Sequence, residues 1–410
     1  MDFSDTPDEA AFRAEARAWI QKYAPRKWLD SGQQGMPEIA EGKGWQRLKA
    51  EHGWACIHWP REHGGRGATA IEREIWDQEE GPLWRLSPLF TIGHNMAGPT
   101  LMACASKALQ ARYLLPLIRG EEVWCQLFSE PGAGSDLAGI RTRAQRDGSD
   151  WLISGQKVWT SIAQYADFGL LLVRTDPHAP KHRGLTYFVI DMKAPGVDIR
   201  PIRQMSGMSE FNEVFLDEVR IPDAQRLGDV GAGWNVAMTT LANERAMGLT
   251  VFPPQVEEML ALARTTALDG VRAIDHAAVR TRIADWYITA NGLKYTELRT
   301  LTRLSRGQQP GPESSIIKLI VGRGRQQLAS FMLDVLGPSG AIMESNQVGH
   351  DALFQAVFLR AVGNRIEAGT DEIIRNQIAE RILKLPGDLR IDKNIPFSEI
   401  PTAPTSCGNR

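Results

Sequence analysis

Several features are scarce or missing from this chain, and each omission removes a class of protein. Of 410 residues only four are cysteine (Cys56, Cys104, Cys125 and Cys407), with no Cys-x-x-Cys spacing among them. That excludes a disulfide scaffold and reads as reduced core or tail thiols. Charge of one sign is lacking too: 47 basic against 49 acidic residues leave a formal charge of −2. No basic stripe marks a nucleic-acid footprint. No apolar run reaches the roughly 18–20 residues of a membrane helix. The start, MDFSDTPDEAAF, has no basic segment followed by an apolar one, so a signal peptide is not expected. The expectation is a soluble, cytoplasmic protein with neither nucleic-acid nor membrane partners. What is there is ordinary for a globular chain: 43% hydrophobic and 23% charged residues. At roughly 150 residues per domain, two or three domains are expected, enough to bury a sizeable core without staples.

Periodicity divides the chain into three texts. Residues 1–122 read as an N-terminal α-helical domain. Thr6-Pro7-Asp8-Glu9 supplies a cap, a first-turn proline and an acid at the third helical position. Phe12, Ala16, Trp19, Ile20 and Tyr23 then share one helix face until Pro25. Further helices are predicted around 40–53, 68–80, 86–106 and 107–119. Residues 123–230 switch to a period of two. Short runs at 124–128, 151–161, 168–175, 185–192, 197–202 and 212–221 are separated by turns such as Asp147-Gly148 and Ala194-Pro195-Gly196. Strands with no helices between them predict an antiparallel β-sandwich or barrel. Residues 231–385 return to helical spacing, with segments at 234–250, 254–267, 276–305, 312–335, 350–362 and 371–384 that form a bundle. Residues 386–410 read as an extended tail.

Common catalytic signatures are missing: no Gly-x-Ser-x-Gly elbow, Gly-x-x-x-x-Gly-Lys loop or His-Glu-x-x-His pair occurs. His178 and His182 are four apart, but Pro177 and Pro180 prevent the helix that would aim both at a metal, and no metal site is expected. Gly132-Ala133-Gly134 lacks the third glycine and the βαβ unit of a dinucleotide fingerprint. The segment Gln126-Leu127-Phe128-Ser129-Glu130-Pro131-Gly132-Ala133-Gly134-Ser135-Asp136 is more informative. A strand ends in a turn of small residues flanked by hydroxyls, where backbone approaches a ligand closely and successive N–H groups nest an anion. A plain hairpin loop suits the same residues.

Chain order distinguishes these readings. Trp59-Pro60-Arg61-Glu62-His63-Gly64-Gly65 precedes this segment, Gly155-Gln156-Lys157-Val158-Trp159-Thr160-Ser161 follows it, and Ala368-Gly369-Thr370-Asp371-Glu372 comes near the end. With the α–β–α layout, the chain resembles the acyl-CoA dehydrogenase family from residue 1 to about 385. The resemblance implies FAD bound between the β-domain and the C-terminal helices. It also implies removal of an acyl-CoA α-proton and transfer of the β-hydride to flavin N5, giving a trans-2-enoyl-CoA, with electron-transferring flavoprotein as acceptor. On this sequence it sets Gln126, Leu127, Phe128 and Ser129 along the flavin ring. It puts Gly134 in the turn, Ser135 on a phosphate of FAD or CoA, Trp159 over the ring and Ser161 near N5. Gly369, Thr370 and Glu372 would face the ribityl and pyrophosphate region.

Many relatives carry the catalytic glutamate where this chain has Ala368, which cannot accept a proton. Others carry it on the helix opening the C-terminal domain, just before an arginine. Glu244, followed by Arg245, matches that position. Some base is required to take the α-proton, and a glutamate in a dry pocket is expected to have its pKa raised toward neutrality. The alternative for Glu244 is an ordinary helix salt bridge. Arg245 is expected to contact CoA or order the site, since guanidinium stays protonated. Met238, Thr239 and Leu241 suggest an apolar pocket wall. The Arg-x-x-Phe-Gly string usual in relatives is absent between 251 and 330. Residues 307–315 and 389–393 look like the subgroup with pimeloyl-CoA dehydrogenase large chains. An α2β2 hetero-oligomer therefore stands beside a homo-oligomer. Desulfinase or oxidase chemistry and a non-catalytic subunit remain alternatives.

Overall fold

A computed structural model describes residues 5–29, 38–245, 256–308, 314–344, 352–387 and 392–401. The opening helix α1 (Pro7–Tyr23) starts as its sequence dictates: the Thr6 hydroxyl accepts from the Glu9 N–H while the Glu9 carboxylate accepts from the Thr6 N–H. Helices α2 (Arg26–Leu29), α3 (Ile39–Glu51) and α4 (Ala70–Glu80) surround an aromatic core of Trp19, Trp28, Trp45, Trp54 and Trp76. Within it Trp54 stacks on Trp76 at 4.6 Å.

The continuous helix predicted over 86–106 is instead broken. Turns of 3-10 type at Gly81–Leu86 and Pro88–Phe90 lead to a π-turn at Gly93–Ala97 and then α5 (Gly98–Cys104). Pro82, Pro88 and Pro99 each remove a backbone donor, and such residues start helical turns better than they continue them. Close packing adds a second constraint, because a Cβ on Gly98 would stand 2.1 Å from the Trp59 ring. Helix α6 (Lys107–Ile118) completes this domain.

The sheet domain contains β1 (Trp124–Leu127), β2 (Arg143–Asp147), β3 (Asp150–Ser161), β4 (Phe168–Arg174), β5 (Leu185–Asp191), β6 (Val197–Ile202), β7 (Phe211–Pro222) and β8 (Arg226–Leu227). The strand order is β6-β7-β3-β2-β4-β5-β8, with β1 on β4. Pairing is antiparallel except for β1 with β4 and a single parallel bridge, Arg143 to Arg174, that joins the two halves. Strands β4 and β5 are buried along almost their whole length because both faces are covered, and most of their residues are apolar. Leu170, Leu172 and Tyr187 pack toward α5 and α6, while Leu171, Val173 and Phe188 pack toward Ile153 and Val214 of β3 and β7.

Helix α7 (Gly233–Arg245) opens the C-terminal text but packs with the preceding domains, its Val236 and Ala237 lying in the core of β4, β5 and α6. The remaining helices are α8 (Val256–Thr265), α9 (Ala277–Ser305), α10 (Ser314–Leu336), α11 (Leu353–Asn364) and α12 (Asp371–Gln377), the last continuing in a π-turn. Most of their buried residues form a separate cluster around Met259, Leu262, Met332 and Phe354. Of the tail, residues 392–401 lie against the sheet domain. There Phe397 sits under the Arg174 guanidinium at 3.4 Å, and Ser398 N–H donates to the Pro177 carbonyl. The stretches 309–313 and 389–391, part of the subgroup resemblance, lie outside the described residues, as does Cys407.

Candidate active site

The turn after β1 is closed by reciprocal backbone bonds between Glu130 and Ala133, at 2.9 and 3.0 Å. Gln126 and Ser129 are half-buried, Leu127 and Phe128 are buried, and Gly134 and Ser135 are exposed. Gly132 and Gly134 have negative φ, and a Cβ on either would meet nothing within 4 Å. Neither backbone geometry nor packing within the chain demands glycine there, so the open surface is suited to a close-fitting ligand. A buried ion pair holds this turn to β3. The Lys157 ammonium, inaccessible to water, donates to the Glu130 carboxylate at 2.9 Å and to the Phe128 carbonyl at 3.0 Å. Glu130 also accepts from the N–H groups of Arg141 and Thr142. Burial works against the Glu130 charge, but Lys157 and these donors hold its carboxyl below the ordinary range. Burial likewise draws the Lys157 ammonium down, with Glu130 opposing.

Next to this staple β3 carries a bulge. Its pairing with β7 shifts between Lys157↔Val214 and Thr160↔Asn212. Trp159 sits in the bulge at φ +61°, with its ring 58% exposed and edge-on to Phe211 at 6.1 Å. A bulky residue held in the left-handed region with an uncovered indole is a costly arrangement, of the kind found at ligand sites. Ser161, half-buried, ends the strand opposite Phe211.

The C-terminal motif is built by a second buried carboxylate. Asp371 accepts from Arg365 Nε at 2.8 Å and lies 3.8 Å from Lys318, whose ammonium also donates to the Gly369 carbonyl. Thr370 caps α12, its hydroxyl accepting from Ile373 N–H at 3.2 Å. Gly369 turns at φ +94°, while Glu372 is exposed and 3.7 Å from Arg375. Beside Ala368, the Glu367 carboxylate is already engaged by Arg360 at 2.6 Å and by Asn364.

Glu244 lies half-buried one turn beyond Thr240 on α7. The Thr240 hydroxyl is fully buried and bonded to Tyr187 at 2.9 Å on β5 and to Thr100 at 3.0 Å on α5. Burial pushes the Tyr187 hydroxyl upward, and the neighbouring Glu244 carboxylate adds to that push. The Arg245 side chain lies outside the described residues. One turn of α7 also borders a cavity of about 180 Å³ lined by His58, Trp59, Arg73, Asn95, Met102 and Asn243, among others. The residue that α7 contributes to this cavity is Asn243, while Leu241 packs against the core formed with α5 and α6.

The acyl-CoA dehydrogenase N-terminal, middle and C-terminal domain models match residues 6–121, 125–219 and 231–383. The chain belongs to the acyl-CoA dehydrogenase family. It is 35% identical over 393 residues to the acyl-CoA dehydrogenase IpdE1 of Mycobacterium tuberculosis, covering 93% of this chain and 99% of that one. It is 42% identical over 340 residues to FadE34 of the same organism, covering 82% of this chain but only 45% of that longer relative. Among solved structures it resembles the Tcur3481-Tcur3483 steroid acyl-CoA dehydrogenase, with a TM-score of 0.81, 27% identity and coverage of 95% and 100%. The ChsE4-ChsE5 complex from M. tuberculosis is similar, with a TM-score of 0.79, 27% identity and the same coverage.

As an acyl-CoA dehydrogenase the enzyme is an oxidoreductase acting on CH–CH donors, and its cofactor is FAD. Uncrowded glycines beside an exposed, strained indole fit a flat aromatic ring system. Among the described residues no cluster of His, Cys, Asp or Glu suits a metal, and no helix is long and apolar enough to cross a membrane. Residue reasoning missed three groups: Lys157 with Glu130, Lys318 with Asp371, and the Thr100–Thr240–Tyr187 hydroxyls. Only the first left a usable signal, since Lys157 shares strand parity with the inward Trp151 and Ile153.

Proposed function

We propose that the enzyme dehydrogenates an acyl-CoA thioester to its trans-2-enoyl-CoA, with Glu244 as the base that takes the α-proton. The observation carrying this reading is the anchorage of α7. Thr240 bonds to both the helical and the sheet domain, so the half-buried carboxylate one turn on has a rigid support. The rival position holds Ala368, and neighbouring Glu367 is occupied by Arg360. FAD, when bound, supplies the acceptor for the electron pair leaving Cβ. Residues 126–129, Gly134 and Ser135 would line it from the β1 turn, Trp159 and Ser161 from β3, and Gly369, Thr370 and Glu372 from the C-terminal motif. Ser135 and Arg245 would contact the CoA arm. Glu244 would receive the Cα proton at a carboxylate oxygen and hold it until product leaves.

The two-chain relatives, of which the Tcur3481-Tcur3483 enzyme is described as a steroid acyl-CoA dehydrogenase, favour a cyclic, steroid-derived acyl group and an α2β2 assembly over a homo-oligomer. Electron-transferring flavoprotein is proposed as the electron acceptor. A cytoplasmic setting accords with the free thiols of Cys56, Cys104 and Cys125. Glu244→Gln tests the core of the reading. It is expected to retain flavin while anaerobic bleaching by acyl-CoA slows by about 10²–10⁴-fold. Wild-type bleaching rates in the variant would remove Glu244 from the reaction, and a flavin-free wild type would favour a non-catalytic subunit.

A further inference from the structure

The residues that follow the β1 turn are held by the far end of the chain. Ser135, the proposed phosphate contact, is exposed, and the next residue, Asp136, has a side chain that is 62% exposed. A bare carboxylate there would repel an oxyanion bound at Ser135. It is not bare. The Lys181 ammonium, from the loop between β4 and β5, donates to both Asp136 oxygens at 2.9 and 3.0 Å. The tail seats Lys181 in turn, because the Asp392 carboxylate accepts from the same ammonium. Burial works against the Lys181 charge, but Asp392 and Asp136 raise its pKa, and Lys181 holds the Asp392 carboxyl below the ordinary range.

A second tie runs through Arg174. Its buried guanidinium donates to the carbonyls of Ala138 and Ile140, in the short turn after Asp136, at 2.6 and 3.0 Å. These acceptors are neutral. The Phe397 ring, centred 3.4 Å from the guanidinium carbon, adds a cation–π face and shields the group from water. Backbone bonds fix the ring in place: Phe397 N–H donates to the Ala179 carbonyl at 3.0 Å and Ser398 N–H to the Pro177 carbonyl at 2.8 Å.

We infer that tail residues 392–401 form a strap that positions the Ser135 turn for a phosphate oxyanion. Asp392 keeps Lys181 against Asp136, and Phe397 keeps Arg174 on the carbonyls of residues 138 and 140. Lys181, Asp392 and Phe397 are thus positioning residues, acting through the turn. The inference rests on the proposed contact of Ser135 with a phosphate of FAD or of the CoA arm.

The test follows anaerobic flavin bleaching of the holoenzyme by one acyl group carried either on CoA or on pantetheine, which lacks the phosphates. Release of FAD on dilution, read by flavin fluorescence, is the second arm. If the oxyanion belongs to CoA, Asp392→Asn and Phe397→Ala should each raise the half-saturating acyl-CoA concentration by about 3–30-fold. The limiting rate and the acyl-pantetheine values should stay within about twofold. If it belongs to FAD, the same factor should appear in FAD release instead. Lys181→Gln should act in the same direction, with a loss that shrinks at high salt because the uncovered Asp136 carboxylate is screened. Adding Asp136→Asn should restore binding, and Phe397→Tyr, which keeps the ring, should match the wild type. Should Phe397→Ala fail to fold, Asp392→Asn at its half-exposed site carries the test. Unchanged half-saturation and FAD release in Asp392→Asn and Lys181→Gln, or equal shifts for both thioesters, overturns the strap if Ser135→Ala does weaken one of the two ligands. A Ser135→Ala variant that weakens neither overturns the phosphate contact and the strap with it.

Discussion

Trp159 concentrates several demands in one residue. Its φ of +61° places a bulky side chain where left-handed backbone costs about 1–2 kcal/mol. Its exposed ring recovers little of that through burial. Trp159→Gly removes the strain and the indole together. Thermal unfolding of the apoprotein is expected to change by no more than about 1 kcal/mol, while FAD is retained more weakly on gel filtration. A destabilisation well beyond that, with FAD retained, would show that the indole serves packing against Phe211. The Glu130–Pro131–Gly132–Ala133 turn was legible as small residues between hydroxyls. The strain at Trp159 was not, because it arises from a bulge that depends on the partner strand.

Between elements, the Lys157–Glu130 pair ties β3 to the turn that follows β1. Breaking a buried pair by removing one member leaves the other charged and desolvated, at a cost of about 3–5 kcal/mol. Lys157→Met is expected to lose about that much in urea titration, and adding Glu130→Gln should restore part of it. The pH dependence has a definite sign. A carboxyl held below its ordinary value contributes stability above about pH 4.3, the unfolded value of a glutamate. It loses that contribution as pH falls through the lowered folded value. Without Lys157 the buried carboxylate protonates earlier, so the acid limb of a melting-temperature profile should move to higher pH. An unmoved limb would mean that the Arg141 and Thr142 N–H groups alone hold the charge. Lys157 shares strand parity with the inward Trp151 and Ile153, yet the distant carboxylate that makes its burial tolerable was visible only once β3 lay against the turn.

Over the whole molecule, three buried hydroxyls join parts far apart in the chain: Thr100 of α5, Tyr187 of β5 and Thr240 of α7. Thr240→Val keeps the shape of the side chain but leaves Tyr187 without its partner. A loss of about 1–3 kcal/mol is expected, together with a lower kcat at nearly unchanged FAD content, because the turn bearing Glu244 loses its anchor. Stability loss with unaltered kcat would detach the network from the reaction. The burial of both faces of β4 and β5 was not readable from local pattern, since the strand region reads as alternating, whereas the Thr6–Glu9 capping box and the α–β–α order were.

Local chemistry was sufficient for those features because capping, periodicity and turn formation act over a few residues, and a family motif carries its own order. The division into helical and sheet segments and the turn after β1 belong to that class. Docking of α7 onto domains that precede it and the meeting of α4, α5 and α7 around the cavity beside Arg73 do not. Each depends on side chains from segments tens to hundreds of residues apart meeting away from water, and no local spacing encodes which of them will meet.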